Sequence, residues 1–420
     1  MIIKKNIYVF LFVAYLTLIL GFYLDEDSIG GARSDYFALL HVASKFKENF
    51  LFTLLNYDEL GHRHSPIFFI IKSFTLNFSE NTQKLIFLHI YLLIPFFFYK
   101  CLNLVFANTN KNFLKLISCV ILFFPTYRSY SIWPDAHLLG TLFFIISLYF
   151  YLKSKFENKN NIFKNSIYNT FFLALSAYIS PNFGVFVLFF VYKFFKMYSM
   201  SLNFLVIIFF NLILSFPFFY YLFYLDANFI YNPGVWDIGK NFISLNNFSN
   251  KIILVTSLIF FFLLPFFLSR NLKLNLLNIS NYKYETLIYF FIFFISIYFF
   301  DFSYSYNLTN SGGGIIYNLS NKLISNNIFL FLLSFLTFCF LVQIFIISKD
   351  NLILFLVLVL SNPQITLWQA NFSPTIYFLI LLLFNFNLKN ELIKIETIYY
   401  NYIYFLFYLV SSITYKLFII

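Results

Sequence analysis

Charged and polar side chains crowd into one stretch of an otherwise apolar chain, residues 25–84. It holds Asp25, Glu26, Asp27, Arg33, Asp35, His41, Asp58, Glu59, His62, Arg63 and His64, so three of the five histidines fall here, with His89 and His137 elsewhere. Carboxylates of this kind can take a proton from a hydroxyl, and arginines can hold an anion. Each residue also has a plainer use. Asp25-Glu26-Asp27 suits a hydrated helix exit, and Asp35 suits the positive start of a helix dipole. Asp135, just after Pro134, suits a helix cap. His62 and His64 beside Arg63 suit contact with lipid headgroups, since two histidines alone seldom complete a metal site.

The elements that must position these residues are set by composition. The chain has 420 residues, 61% of them hydrophobic and 11% charged, with a mean hydropathy of +0.79. A soluble domain carries roughly 25% charged residues, so this chain cannot cover a surface in water. Apolar runs of roughly 20 residues, the length that crosses a bilayer, recur from end to end. The expected class is an all-α, polytopic integral membrane protein. Its net charge of +11 fits lysines held at cytoplasmic helix ends, and no Lys/Arg block suggests a nucleic-acid surface. Cys101, Cys119 and Cys339 lie in or beside apolar segments without CxxC spacing, so neither a metal site nor a disulfide framework follows. The 25% aromatic content matches the AT-rich codons of Phe and Tyr and is not read as a binding feature.

With Lys4 and Lys5 inside, a first helix over residues 7–24 leads to an outside loop over 25–84, and a second helix over 85–106 returns to Lys111 and Lys115. A third span over 113–130 exits at Trp133-Pro134-Asp135, and a fourth over 138–152 returns to the basic stretch 153–164. Lys-rich and Lys-poor loops alternate onward through runs at 203–225, 252–268, 286–300 and 328–347, as positive-inside orientation requires. About thirteen transmembrane helices are expected, in a single transmembrane domain over 1–420. The chain shows no internal repeat, and the Gly-rich stretch Gly312-Gly313-Gly314 reads as a loop.

Within the first outside loop, the pattern of Phe37, Leu40, Val42, Ala43 and Phe46 against Lys45, Lys47 and Glu48 predicts an amphipathic surface helix over 35–50. Ser65-Pro66 and the short apolar run to Ile71 predict a second interfacial helix with proline in its first turn. Ser34-Asp35-Tyr36-Phe37-Ala38-Leu39-Leu40, then His64-Ser65-Pro66-Ile67-Phe68-Phe69, then Trp133-Pro134-Asp135 in the next outside loop resemble the polyprenyl-phosphate-sugar-dependent glycosyltransferases of GT-C type. That family includes the dolichyl-phosphate-mannose-protein mannosyltransferases and the aminoarabinose transferases. Here Ser65 replaces the first proline of the family's His/Lys-Pro-Pro segment. The resemblance is densest over residues 25–152, and the remainder matches only in hydropathy.

The resemblance implies transfer of a sugar from a polyprenyl-phosphate donor to a glycan, lipid or protein acceptor. It implies a catalytic carboxylate, for which Asp35, Asp27, Asp25 and Asp135 are the candidates. Arg33, Arg63 and Arg128, with His64 and Tyr36, are the candidates for substrate binding. A departing phosphate needs a cation, supplied by arginine or lysine or by a divalent metal ion whose ligands the sequence does not identify. The expected setting is a bacterial inner membrane, with the N-terminus cytoplasmic and the site periplasmic. A multi-helix transporter or flippase is the rival reading, disfavoured because charges lie at helix ends rather than mid-membrane. A polysaccharide polymerase or ligase would place its largest loop late in the chain, and here the largest is the first.

Overall fold

A computed structural model describes residues 2–60, 65–156, 161–224, 245–269, 283–302, 312–362, 367–386 and 392–419. These residues are helical, with one isolated β-bridge between Gly312 and Trp368 and no named strand among them. Among the described residues five helical stretches are long and apolar enough to cross a membrane: Glu80–Val105, Ala136–Phe156, Leu202–Phe223, Leu245–Leu268 and Ile328–Ile347. The packing divides into two compact units, Met1–Trp236 with Tyr402–Ile420, and Asp237–Asn401.

The first unit opens with α1 (Ile2–Tyr23), α2 (Ala32–Glu48), α3 (Phe50–Leu55) and α4 (Pro66–Ser73). The short helix expected after Ser65 is α4, with Pro66 in its first turn, where its missing N–H has no intrahelical partner to lose. The surface helix begins earlier than expected, and its phase differs. Tyr36, Leu39, Val42, Ala43 and Phe46 face inward, whereas Phe37 is exposed. Apolar residues lie on both the buried and the exposed face of α2, so periodicity alone does not choose between them.

The second span is two helices end to end, α5 (Glu80–Tyr91) and α6 (Leu93–Val105). Pro95 cannot donate to the Tyr91 carbonyl four residues back, and that carbonyl accepts the Tyr127 hydroxyl at 3.0 Å instead. The stretch expected as one span over 113–130 is broken as well, into α7 (Lys111–Cys119), a 3-10 turn at Val120–Phe123, and α8 (Pro125–Ile132). The residue before a proline is driven out of the helical region. Phe124 accordingly lies extended, at ψ 124°, and Pro125 starts a new helix.

The scaffold behind the loop is α9 (Ala136–Phe156) packed on α10 (Ile162–Ile179), followed by α11 (Phe186–Tyr198) and α12 (Leu202–Phe223). Polar pairs hold α9 to α10. Asn169 Nδ2 donates to the Ser147 hydroxyl at 2.7 Å and Ser176 Oγ to the Gly140 carbonyl at 2.7 Å. Such bonds, with a small residue at the crossing, replace the hydrophobic driving force that lipid removes. Leu205, Phe209, Leu212 and Phe216 of α12 are all exposed, a face suited to lipid rather than water.

In the second unit α13 (Leu245–Leu268) is covered by α14 (Lys283–Tyr298), α15 (Gly314–Ile324), α16 (Ile328–Ile347), α17 (Lys349–Leu360) and α18 (Thr375–Leu382). Asn351 ties this unit together. Its amide donates to the carbonyls of Ile344 and Asn385 and accepts from the Asn385 N–H. The last helix, α19 (Ile395–Ile419), belongs to the first unit from Tyr402 onward.

A Cβ on Gly140 would lie 2.7 Å from the Ser180 Cβ and 3.1 Å from the Phe183 ring. Gly140→Ala is therefore expected to destabilise the first unit by about 1–3 kcal/mol, the usual effect of overpacking. A thermal unfolding midpoint equal to wild type in detergent would show that α9 and α10 do not need this close approach.

Candidate functional site

The end of α1 and the start of α8 are joined by a buried ion pair. Arg128 Nε donates to Glu26 Oε1 at 2.8 Å and Nη2 to Oε2 at 2.5 Å, while Nη2 also reaches the Thr17 carbonyl at 2.8 Å. The two side chains are 4% and 9% exposed. A bidentate pair with its remaining donors satisfied is the arrangement in which two buried charges are tolerated. Gly21 makes room for it, since a Cβ there would collide with both partners. Arg128, a sequence candidate for holding an anion, is thus engaged by protein.

The Glu26 carbonyl accepts the Trp133 indole N–H at 3.1 Å, and around this fully buried indole the site is built. Lys84, from the second turn of α5, lies with its ammonium 3.6 Å from the centre of the Trp133 ring and 2.9 Å from Asp25 Oδ1. Lys84 is buried and Asp25 is half exposed, so this carboxylate forms the edge of the cluster. The Arg33 guanidinium lies 5.2 Å from the same indole, a cation–π distance. Tyr36 meets Trp133 edge-on at 5.7 Å, and Lys72 of α4 places its Nζ 3.8 Å from the centre of the Tyr36 ring. Two aromatic rings are therefore surrounded by three cations.

The other sequence candidates take different places. Asp27 caps α2, accepting the N–H groups of Gly30 and Gly31 at 2.9 Å and of Arg33 at 3.3 Å. Gly31 adopts φ 103°, a conformation that favours glycine. Asp35 is exposed in the first turn of α2. Asp135 is buried and caps α9, with Oδ1 accepting the His137 N–H at 2.7 Å, and its carbonyl accepts the Tyr91 hydroxyl at 3.2 Å. Arg63 and His64 lie outside the described residues. Asp25, Arg33 and Tyr36 are thus brought to one cluster around Trp133. Among the described residues no group of three His, Cys, Asp or Glu is placed to hold a metal ion.

Lys72 and Lys84 went unrecognised as site residues in the sequence. The available signal was a lone lysine in the apolar run Pro66–Ser73, and a second just inside the next span. Lys72 is fully buried, and its Nζ has no hydrogen-bond partner. Loss of hydration pushes it down to about 7, against the opposing pull of Asp135 and Glu80. Burial likewise raises the Tyr36 phenol, helped by the negative charge of Glu80.

The helix that carries Lys72, α4, also flanks an open apolar cavity of about 460 Å³ together with α3, α10 and α12. Leu54, Pro66, Ile67, Tyr178, Pro217 and Tyr221 line it. The chain matches no family model, no curated protein and no solved structure.

Two tests of this geometry follow from its charges. Glu26→Leu leaves Arg128 buried and uncompensated, so it is expected to destabilise by about 3–5 kcal/mol, and adding Arg128→Met should recover most of the loss. Equal unfolding midpoints for the single and double variants would refute the pairing. For Lys72 the folded value lies below the unfolded one, so the unfolded chain binds more protons between about pH 7 and pH 10.5, and stability rises with pH across that window. Lys72→Met should raise the melting temperature most at or below about pH 7, with the gain fading toward pH 10.5. A gain independent of pH would show that the ammonium is not desolvated.

Proposed function

We propose that the chain is a membrane glycosyltransferase of GT-C type, moving a sugar from a polyprenyl-phosphate donor to an acceptor in the cell envelope. The observation that carries this reading is the meeting, at Trp133, of Lys84 and Arg33 with the half-exposed carboxylate of Asp25 and with Tyr36. Cations beside aromatic rings suit a phosphate attached to a sugar, and the nearby apolar cavity suits a lipid chain. In this reading about thirteen helices cross a bacterial inner membrane, with the N-terminus in the cytoplasm and the first loop on the periplasmic side.

The chemistry is a single displacement with inversion. The acceptor hydroxyl oxygen attacks the anomeric carbon, the bond from that carbon to the phosphate oxygen breaks, and its electron pair leaves on the phosphate. The hydroxyl proton passes to a carboxylate. Asp35 fits that role by the family resemblance and by its exposed place one residue before Tyr36. Arg33, exposed beside Trp133, would hold the departing phosphate, and Lys84 would fix Asp25 at the edge of the site. Asp27 and Asp135 are occupied as helix caps and would position α2 and α9.

The test is mass spectrometry of envelope glycans and lipids from a deletion strain complemented with wild type or Asp35→Asn. One sugar mass should disappear on deletion and return only with wild type, general-base loss lowering the rate by about 10²–10⁴-fold. Full restoration by a folded Asp35→Asn protein would remove Asp35 from the mechanism. An unchanged glycan profile accompanied by altered solute export would favour transport.

A further inference from the structure

The lysine beside Tyr36 has no part in the transfer chemistry set out above. Lys84 is already paired with Asp25, and Arg33 is exposed. Lys72 differs from both: its Nζ is sealed from solvent and bonded to no acceptor, resting on the face of the Tyr36 ring at 3.8 Å and 5.7 Å from that of Phe68. The hydroxyl of that same tyrosine is also buried without a hydrogen-bond partner. Buried polar groups are nearly always satisfied, and exceptions call for a ligand or a function. Here two buried donors, the amine over the face of the Tyr36 ring and the phenol on that same ring, have no acceptor.

We propose that Lys72 and Tyr36 form a buried subsite for one tetrahedral oxyanion of the phosphate class, and that Lys72 takes up a proton as the anion enters. Assigning that anion to the phosphate of the sugar donor rests on the transferase reading, but the binding can be measured without any transfer. A phosphate-class group fits because it offers several acceptor oxygens around one centre, enough for the ammonium and the phenol together. The flanking charges set the conditions. Asp135 and Glu80 act on Lys72 electrostatically and favour its charged form. Tyr36 faces it from α2. From α10, Tyr178 lines the same cavity as Pro66 and Ile67 of α4 and gives its hydroxyl to the Leu214 carbonyl. Without the anion, burial dominates and the amine sits near neutrality at about 7. An anion that binds only the charged form must therefore bring in a proton above that pH, and its affinity falls as pH rises. Because the Nζ is covered, the anion must displace part of the Tyr36 and Phe68 cover to reach it.

The experiment uses the full chain in phosphatidylcholine nanodiscs, titrated calorimetrically with sulfate, a phosphate surrogate whose charge stays constant from about pH 6 to about pH 9. Wild type should bind with an affinity that falls about tenfold per pH unit above about pH 7, and with an apparent heat that varies with the buffer's ionisation enthalpy. Lys72→Arg should keep binding and lose the pH dependence, arginine being charged throughout. Lys72→Met should weaken binding at least tenfold at low pH and leave what remains flat. Doping the discs with phosphatidic acid identifies the source: competition with sulfate points to a lipid headgroup, and none to a soluble oxyanion. The proposal is overturned if sulfate does not bind wild type, if affinity is flat with pH, or if Lys72→Met binds as wild type does. Sulfate binding that meets these expectations in a protein showing no sugar transfer would retain the subsite and discard the transferase.

Discussion

Burying a charge among apolar helices is tolerated only when an opposite charge and enough hydrogen bonds come with it, and the Glu26–Arg128 pair meets that condition across 102 residues of sequence. The end of α1 is held to α8 by it. Because the Glu26 backbone carbonyl receives the Trp133 indole, the pair also fixes the ring around which Lys84, Arg33 and Tyr36 gather. Asp25 and Asp27, on either side of Glu26, then fall in place as the partner of Lys84 and the cap of α2. The acidic triplet thus has three different jobs, one per residue, and a hydrated helix exit describes only the half-exposed Asp25.

A second constraint is the proximity of lysine to aromatic faces. Lys84 and Lys72 are each within 4 Å of a ring centre, one on Trp133 and the other on Tyr36. A quadrupole offers some compensation for lost hydration, and Lys84 has a carboxylate as well. Lys72 is left with the ring and with more distant acids, so its charge is marginal. The two lysines therefore have different properties in adjacent positions, one a fixed cation and the other a group whose charge follows its surroundings.

Much of the scaffold was legible because apolar runs and prolines act locally. Ile328–Ile347 runs as a single helix over the residues its hydropathy marked out, and Pro66 opens α4 as its position required. Asp135 after Pro134 read equally as a cap and as a catalytic carboxylate, and in the structure it accepts the His137 N–H as a cap does. The site was less legible, for reasons that lie in the tertiary structure. Long side chains in membrane proteins ordinarily extend their charged ends toward water, so Lys72 and Lys84 read as helix ends rather than as buried cations. Arg128 read as a free anion holder because its partner, Glu26, is distant in sequence and belonged to a cluster with its own local explanation. Pro125 stood in an apolar run that hydropathy scored as continuous, yet backbone geometry at Phe124 breaks it.

The interruption at Pro95 reaches further than the helix it divides. The Tyr91 carbonyl takes the Tyr127 hydroxyl, and the Tyr91 hydroxyl is given to the backbone of Asp135, where α9 begins. The break between α5 and α6 is therefore linked, through one tyrosine side chain, to the backbone where α9 starts. Spans adjust to bilayers of different thickness by tilting and bending, and bending is easiest where the backbone ladder is already open. Bending of the Glu80–Val105 stretch at this break would therefore draw on the Asp135 carbonyl and, through it, on the start of α9.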